Sequence, residues 1–191
     1  KGIKTFEHFD EAISYALNDI QNIQQLDIFA HSSDGYYSLL RHQLDNMASL
    51  EKIRIIIRNP NSEPFLAHLK NEKAAEYERN QIKNRIESWT NIARIEKWKN
   101  PKTRQAFSNL EIYLYDFDPP FNMMIVDKKL LAFELRKPTQ EVWGFISDKV
   151  FVITKEDEVG KHFVDEFLDW FEDTKNERSI RLNTIHPQRP Q

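Results

Sequence analysis

Apolar positions change period several times along the chain, and the changes mark the predicted elements. Phe6, Phe9, Ile13, Ala16, Leu17 and Ile20 recur at roughly helical spacing, which predicts a first helix beginning after Thr5. Leu26 to Ala30 is a short apolar run closed by the turn-forming His31-Ser32-Ser33-Asp34-Gly35, which reads as a buried strand. A second helix is expected from Tyr36 to Met47 with Tyr37, Leu39, Leu40 and Leu44 inward. Lys52 to Arg58 carries Ile53, Ile55, Ile56 and Ile57 and is the strongest strand pattern, stopped by Asn59-Pro60.

Phe65 to Trp98 contains no Pro or Gly and reads as a long helical tract ending before Asn100-Pro101. From Leu110 the period shortens. Leu110 to Tyr115, Asn122 to Val126, Leu130 to Leu135, Val142 to Ile146 and Val150 to Ile153 are predicted strands, with Asp127-Lys128-Lys129 and Ser147-Asp148-Lys149 as tight connections. A last helix from Glu158 to Glu177 places Phe163, Phe167, Trp170 and Phe171 on one side. The order predicts an α/β fold, a mixed β-sheet with helices on both faces. One domain is expected over residues 1–180, followed by a loose tail at 181–191.

Composition narrows the class. The 191 residues are 40% hydrophobic with thirteen Phe, four Trp and six Tyr, enough bulk for a core despite a 30% charged fraction. No cysteine is present, which removes disulfides, thiol nucleophiles and Cys-type zinc sites and fits a reducing compartment, so a cytoplasmic protein is expected. The longest apolar runs fall far short of the about 20 residues of a bilayer span. A net charge of -3, from 27 basic and 30 acidic residues, gives no global attraction to nucleic acid or anionic lipid. The basic residues from Lys70 to Arg104 are interleaved with Glu72, Glu76, Glu78, Glu87 and Glu96, which reads as a solvated helix face. The chain opens on Lys1 without an initiator Met, so an upstream segment or fused domain is expected.

Candidate chemistry gathers after the first two strands. His31, Ser32, Ser33 and Asp34 follow one, Arg58 and Asn59 the other, and ligands of open α/β sheets bind at such C-terminal strand ends. The simpler reading is a turn capping the second helix through Ser33 or Asp34. No G-x-S-x-G elbow accompanies the adjacent His and Ser, which argues against a triad. Asp116, Asp118, Asp127 and Glu134 offer oxygen ligands to a hard cation if the hairpins converge, although their spacing matches no metal loop. Asn122, Met124, Glu134, Arg136 and Trp143 would line a pocket if their strands neighbour, with Arg136 as the anion contact. No cofactor is expected.

One stretch carries a resemblance. Pro120-Phe121-Asn122-Met123-Met124-Ile125-Val126-Asp127 resembles the His-x-Lys-x4-Asp strand of phospholipase D-like enzymes, with Pro120 at the His position, Asn122 at the Lys position and Asp127 at the closing Asp. The later Gly-Ser signal is absent, its region reading Ala132-Phe133-Glu134-Leu135-Arg136. In that family the His attacks phosphorus and the Lys neutralises phosphate charge, tasks that proline and asparagine do not perform. The resemblance implies a single degenerate half of the phospholipase D-like fold over about Phe6 to Phe171. It also implies a homodimer, since the family builds one site from two halves. Degenerate domains of this kind look like appendages of bacterial transcriptional regulators, signalling proteins and defence proteins. A non-catalytic module that binds a small, nucleotide-like or anionic ligand, or that mediates dimerisation, is therefore expected. The alternative is a divergent phosphodiesterase or nuclease using His31 and Asp127.

Overall fold

Eight strands form one sheet in the computed structural model, which describes residues 2–20, 22–43, 47, 49–63, 71–95, 101–117, 119–138 and 143–182. The strands are β1 (Ile3–Phe6), β2 (Gln25–Ala30), β3 (Lys52–Arg58), β4 (Glu111–Tyr115), β5 (Phe121–Val126), β6 (Leu130–Pro138), β7 (Trp143–Thr154) and β8 (Ser179–Arg181). Their spatial order is β1-β7-β6-β5-β2-β3-β4-β8. β2, β3 and β4 run parallel, and every other neighbouring pair is antiparallel. The expected mixed α/β sheet is therefore the architecture of the chain.

The alternation of β-structure sorts the two faces. Leu26, Ile28 and Ala30 of β2 and Ile53, Ile55 and Ile57 of β3 point into one core, with Met124 and Val126 of β5 beside them. That core is covered by α1 (Phe9–Asp19), α2 (Asp34–Gln43), α3 (Glu72–Ile95) and α4 (Pro101–Ser108), which contribute Ile13, Leu40, Ile82, Trp89 and Phe107. Phe29, Ile56, Tyr113, Met123 and Ile125 point the other way and meet Val164 and Phe171 of α5 (Glu158–Glu177). No helix among the described residues is long and apolar enough to cross a membrane.

The entry to α5 is fixed by a cap and a glycine. Asp157 accepts the amide of Gly160 at 2.7 Å and that of Gly2 at 3.1 Å, so it satisfies an otherwise orphaned helix donor and ties the start of β1 to the helix. These amide donors hold the exposed Asp157 carboxyl below its ordinary range. A Cβ at Gly160 would sit 2.0 Å from the Thr154 carbonyl oxygen, so any larger residue must push the helix off β7.

Several expectations are corrected. Thr5 and Phe6 belong to β1, an edge strand whose residues are mostly exposed and show no alternation; only pairing with β7 defines it. Ser147-Asp148-Lys149 lies inside one strand, β7, which runs from Trp143 to Thr154; the segment coincides with the register shift on β6, where the pairing passes from Glu134 with Val150 to Arg136 with Phe145. Pro101 starts α4, where its fixed φ and missing N–H suit the first helical position. Ser179–Arg181 add an unexpected strand, β8, on the β4 edge, so Arg181 at the start of the expected tail pairs with Tyr113, while 183–191 lie outside the described residues. By contrast, Asp127-Lys128-Lys129 is the tight connection expected, with φ of 50° and 58° at its first two residues. Of the expected long helix, residues 65–70 and 96–98 lie outside the described residues.

Candidate functional site

Antiparallel pairing of β2 with β5 sets Leu26 opposite Val126 and Phe29 opposite Met123, so Asn122 stands beside the end of β2 where His31 begins the turn into α2. There the Asn122 carboxamide joins two strands and a loop. Its Oδ1 accepts the His31 backbone amide at 3.0 Å, and its Nδ2 donates to Oε1 of Glu134 on β6 at 2.7 Å. Glu134 is the register partner of Asn122, which places both side chains on the same face. His31, Asn122 and Glu134 are each buried to within 4% of complete exclusion from solvent.

The His31 imidazole turns toward α3, where its Nε2 lies 3.6 Å from Oε2 of Glu78. Ser33 follows in the same turn with a left-handed φ of 60°, its carbonyl accepting the Tyr37 amide at 2.9 Å to open α2. Its hydroxyl accepts the indole N–H of Trp89 at 2.8 Å rather than capping the helix. Ser32 lies half-buried between them. The cluster at the C-terminal end of β2 thus comprises His31, Ser33, Glu78, Trp89, Asn122 and Glu134. It contains two carboxylates and no Lys or Arg. An anion brought to His31 would approach Glu78 and Glu134 without a compensating cation from these residues, which is the reverse of what a phosphoryl group requires.

Other predicted site residues lie elsewhere. Asp127 is five residues along β5 from Asn122, about 17 Å at the usual rise of a strand. Its Oδ1 accepts the amides of Gln24 and Gln25 at 2.8 and 2.7 Å, so it fastens the β5–β6 hairpin to the start of β2. Joint action of His31 and Asp127 on one bond is excluded by that separation, and a shared cation site for Asp127 and Glu134 fails for the same reason. Asp118 of that proposed set lies outside the described residues, among which no group of three or more His, Asp or Glu could hold a metal ion. Arg58 shares a backbone contact with His31, its amide donating to the His31 carbonyl at 3.4 Å. Its guanidinium points to the α5 face, donating to the Phe117 carbonyl at 2.8 Å with its centre 5.3 Å from the Tyr115 ring. Met124 is fully buried in the core and packs rather than binds. The side chains of Arg136 and Trp143 lie outside the described residues. Their backbones pair with Phe145 and Pro138, on the far side of the β6–β7 irregularity from Glu134.

Two participants had no sequence motif. Glu78 is one of the interleaved charges of the long helical tract, and Trp89 belongs to no motif of that tract. The available clue was the indole N–H of Trp89, a donor that needs an acceptor once buried.

A second buried polar group occupies the other face. Arg54 of β3 grips its register partner Asp27 with two bonds of 2.6 and 2.8 Å, and a third of 2.5 Å reaches Glu172 of α5. Its guanidinium centre lies 5.0 Å from the Phe171 ring. Burial alone would lower its pKa, but the hydrogen bonds and charges of Asp27 and Glu172 outweigh that and raise it, so the group stays ionised.

The comparisons with known proteins are sparse. No protein-family model matches the chain, and no curated protein matches it. Among solved structures it is similar to a phospholipase D family member, Nuc from Salmonella typhimurium, at 10% identity over 94% of this chain and 97% of that one, with a TM-score of 0.48.

Proposed function

We propose that the chain is a phospholipase D-like domain that has given up phosphodiester chemistry and works as a non-catalytic binding and pairing module of a larger regulatory, signalling or defence protein. One observation carries the reading. Asn122, at the position where the resemblance expects a phosphate-neutralising Lys, is committed to the His31 amide and to the Glu134 carboxylate, both out of solvent. Pro120, at the position of the expected nucleophile, has no atom able to attack phosphorus.

His31 does not replace that nucleophile in this reading. The described charged groups around it are the carboxylates of Glu78 and Glu134, whereas a phosphoryl transition state is stabilised by cations. The cluster serves instead to hold the turn after β2 against α3 and β5, and any ligand recognised there is uncharged or cationic rather than anionic. Pairing of two copies belongs to the same reading. Val159 and Phe163, 58% and 40% exposed on α5, offer apolar surface for it.

The decisive experiment measures hydrolysis of a chromogenic phosphodiester and of single- and double-stranded DNA by the wild type and by His31→Ala. The expected result is no turnover above buffer for either protein. Wild-type turnover lost in a folded His31→Ala variant would overturn the reading in favour of a divergent phosphodiesterase. Sedimentation velocity tests the pairing separately: a dimer weakened by Phe163→Glu is expected, and a monomer at every accessible concentration would remove that part.

A further inference from the structure

At the opposite end of the sheet from His31, a cleft of about 400 Å³ opens between the C-terminal ends of α1 and α2. Leu17 and Ile23, both buried, form its apolar floor, flanked by the partly buried Ile20 and Met47. Ser14, Asn18, Asn22 and Gln43 supply the polar lining. Gln43 donates to the Ser14 hydroxyl at 3.1 Å and so ties the two helical walls together. Asn22 is held at a left-handed φ of 58°, in the short connection that leads from α1 to β2.

Three properties define what would fit. The volume lies in the range of small-molecule pockets, about 300–1,000 Å³. None of the lining residues among those described is charged, so these residues offer a charged ligand no ion pair. The cleft also receives the C-terminal ends of two helices, whose last carbonyls accept hydrogen bonds and carry partial negative charge. In α1 no basic residue in the last turn offsets that end, whereas α2 carries Arg41 and His42 in its last turn. At the α1 end an anion is disfavoured and N–H donors are favoured. The three carboxamides both donate and accept, which suits the edge of a heteroaromatic ring lying on the apolar floor.

We propose that this cleft is a binding site for an uncharged, flat, donor-bearing molecule of nucleoside size. The site is separate from the His31 cluster and does not depend on the function proposed above.

Methionine methyl NMR reads it directly, because the three methionines report on different places. Met47 lines the cleft, while Met123 and Met124 are fully buried in β5. The probes are adenosine and AMP, which share a ring and its exocyclic amine and differ by the phosphate. Adenosine is expected to shift the Met47 methyl saturably and to leave Met123 and Met124 in place. AMP is expected to bind about two- to fivefold more weakly, the size of a helix-end charge effect. Asn18 is exposed at the rim, so Asn18→Trp should cover the mouth without touching the core and abolish the shift. If that variant does not fold, Gln43→Leu, which removes a polar wall, takes its place with the same expected loss. An unmoved Met47 in the wild type, tighter binding of AMP than of adenosine, or a Met47 shift that survives in the folded variant would each overturn the proposal.

Discussion

The two faces of the sheet each bury a polar cluster, and the clusters are built on opposite plans. On the α5 face Arg54 is met by Asp27 through two bonds and by Glu172 through a third, so a buried cation is matched by carboxylates. On the other face the neutral Asn122 bridges a backbone amide and a carboxylate, with Glu78 completing the surroundings of His31. The first arrangement sits between neighbouring residues of parallel strands and clamps a helix to them. The second sits at a strand end, where the chain turns and where α/β sheets meet their ligands. A charge-matched clamp has a structural task. The strand-end cluster keeps the hydrogen bonds of such a structure, and the charged side chains that its described contacts bring to His31 and Asn122 are the carboxylates of Glu78 and Glu134.

The contrast is broken most severely by Asp27→Ala. That change leaves Arg54, 4% exposed, without its bidentate carboxylate, and a loss of about 3–5 kcal/mol in chemical denaturation is expected. Replacing both partners, as Asp27→Leu with Arg54→Met, should restore much of the loss, since the apolar pair leaves no buried charge behind. A single-variant cost near zero would show that Arg54 finds equivalent partners. Asn122→Leu should cost less, about 1–3 kcal/mol, because it removes one bond to a neutral amide and one to a carboxylate. A cost equal to that of Asp27→Ala would erase the distinction between the two clusters.

Trp89→Phe keeps a ring in the core but removes the donor to Ser33, and about 0.5–1.5 kcal/mol is expected. The smallest effect is one of pH. Burial alone would raise the Glu172 pKa, but hydrogen bonds and charge from Lys175 and Arg54 outweigh it and lower the folded value. The resulting stability is fully present above the ordinary carboxylate value of about 4.3 and fades as pH falls through the lower folded value. Denaturation midpoints measured across that acidic window should fall less steeply for Glu172→Gln than for wild type; parallel curves would remove Glu172 from the clamp's pH dependence.

How much of this was legible depended on whether local pattern or distant pairing decided each element. β3 and α5 were readable to the residue, because a run of isoleucines and a periodic aromatic face are local signals. β1 and β8 were not, since each has only three or four residues and exists by hydrogen bonding to β7 and β4. Ser147-Asp148-Lys149 has turn-forming composition and falls where the pairing with β6 breaks register, but the chain stays extended through it, so β7 is one strand where two were expected. At the site, the Asn122–Glu134 neighbourhood followed from recognising two adjacent hairpin strands. Arg58 was misassigned because its place at a strand end was clear while its face was not: strand alternation puts it with Arg54 and Ile56 on the α5 side. Asp127 was grouped with His31 for a related reason, although five residues of extended chain carry it to the other end of the sheet.

In the proposed reading the strand-end cluster is closed to phosphate because Asn122, bonded to Glu134, fills the place of a phosphate-binding cation. The most direct test is a titration of inorganic phosphate into labelled protein, following the Asn122 side-chain amide and the His31 imidazole by NMR. Both are expected to remain unshifted through millimolar phosphate while the side-chain amide protons of Asn122 exchange slowly. Saturable, coincident shifts of His31 and Asn122 would show an open phosphate site and contradict it.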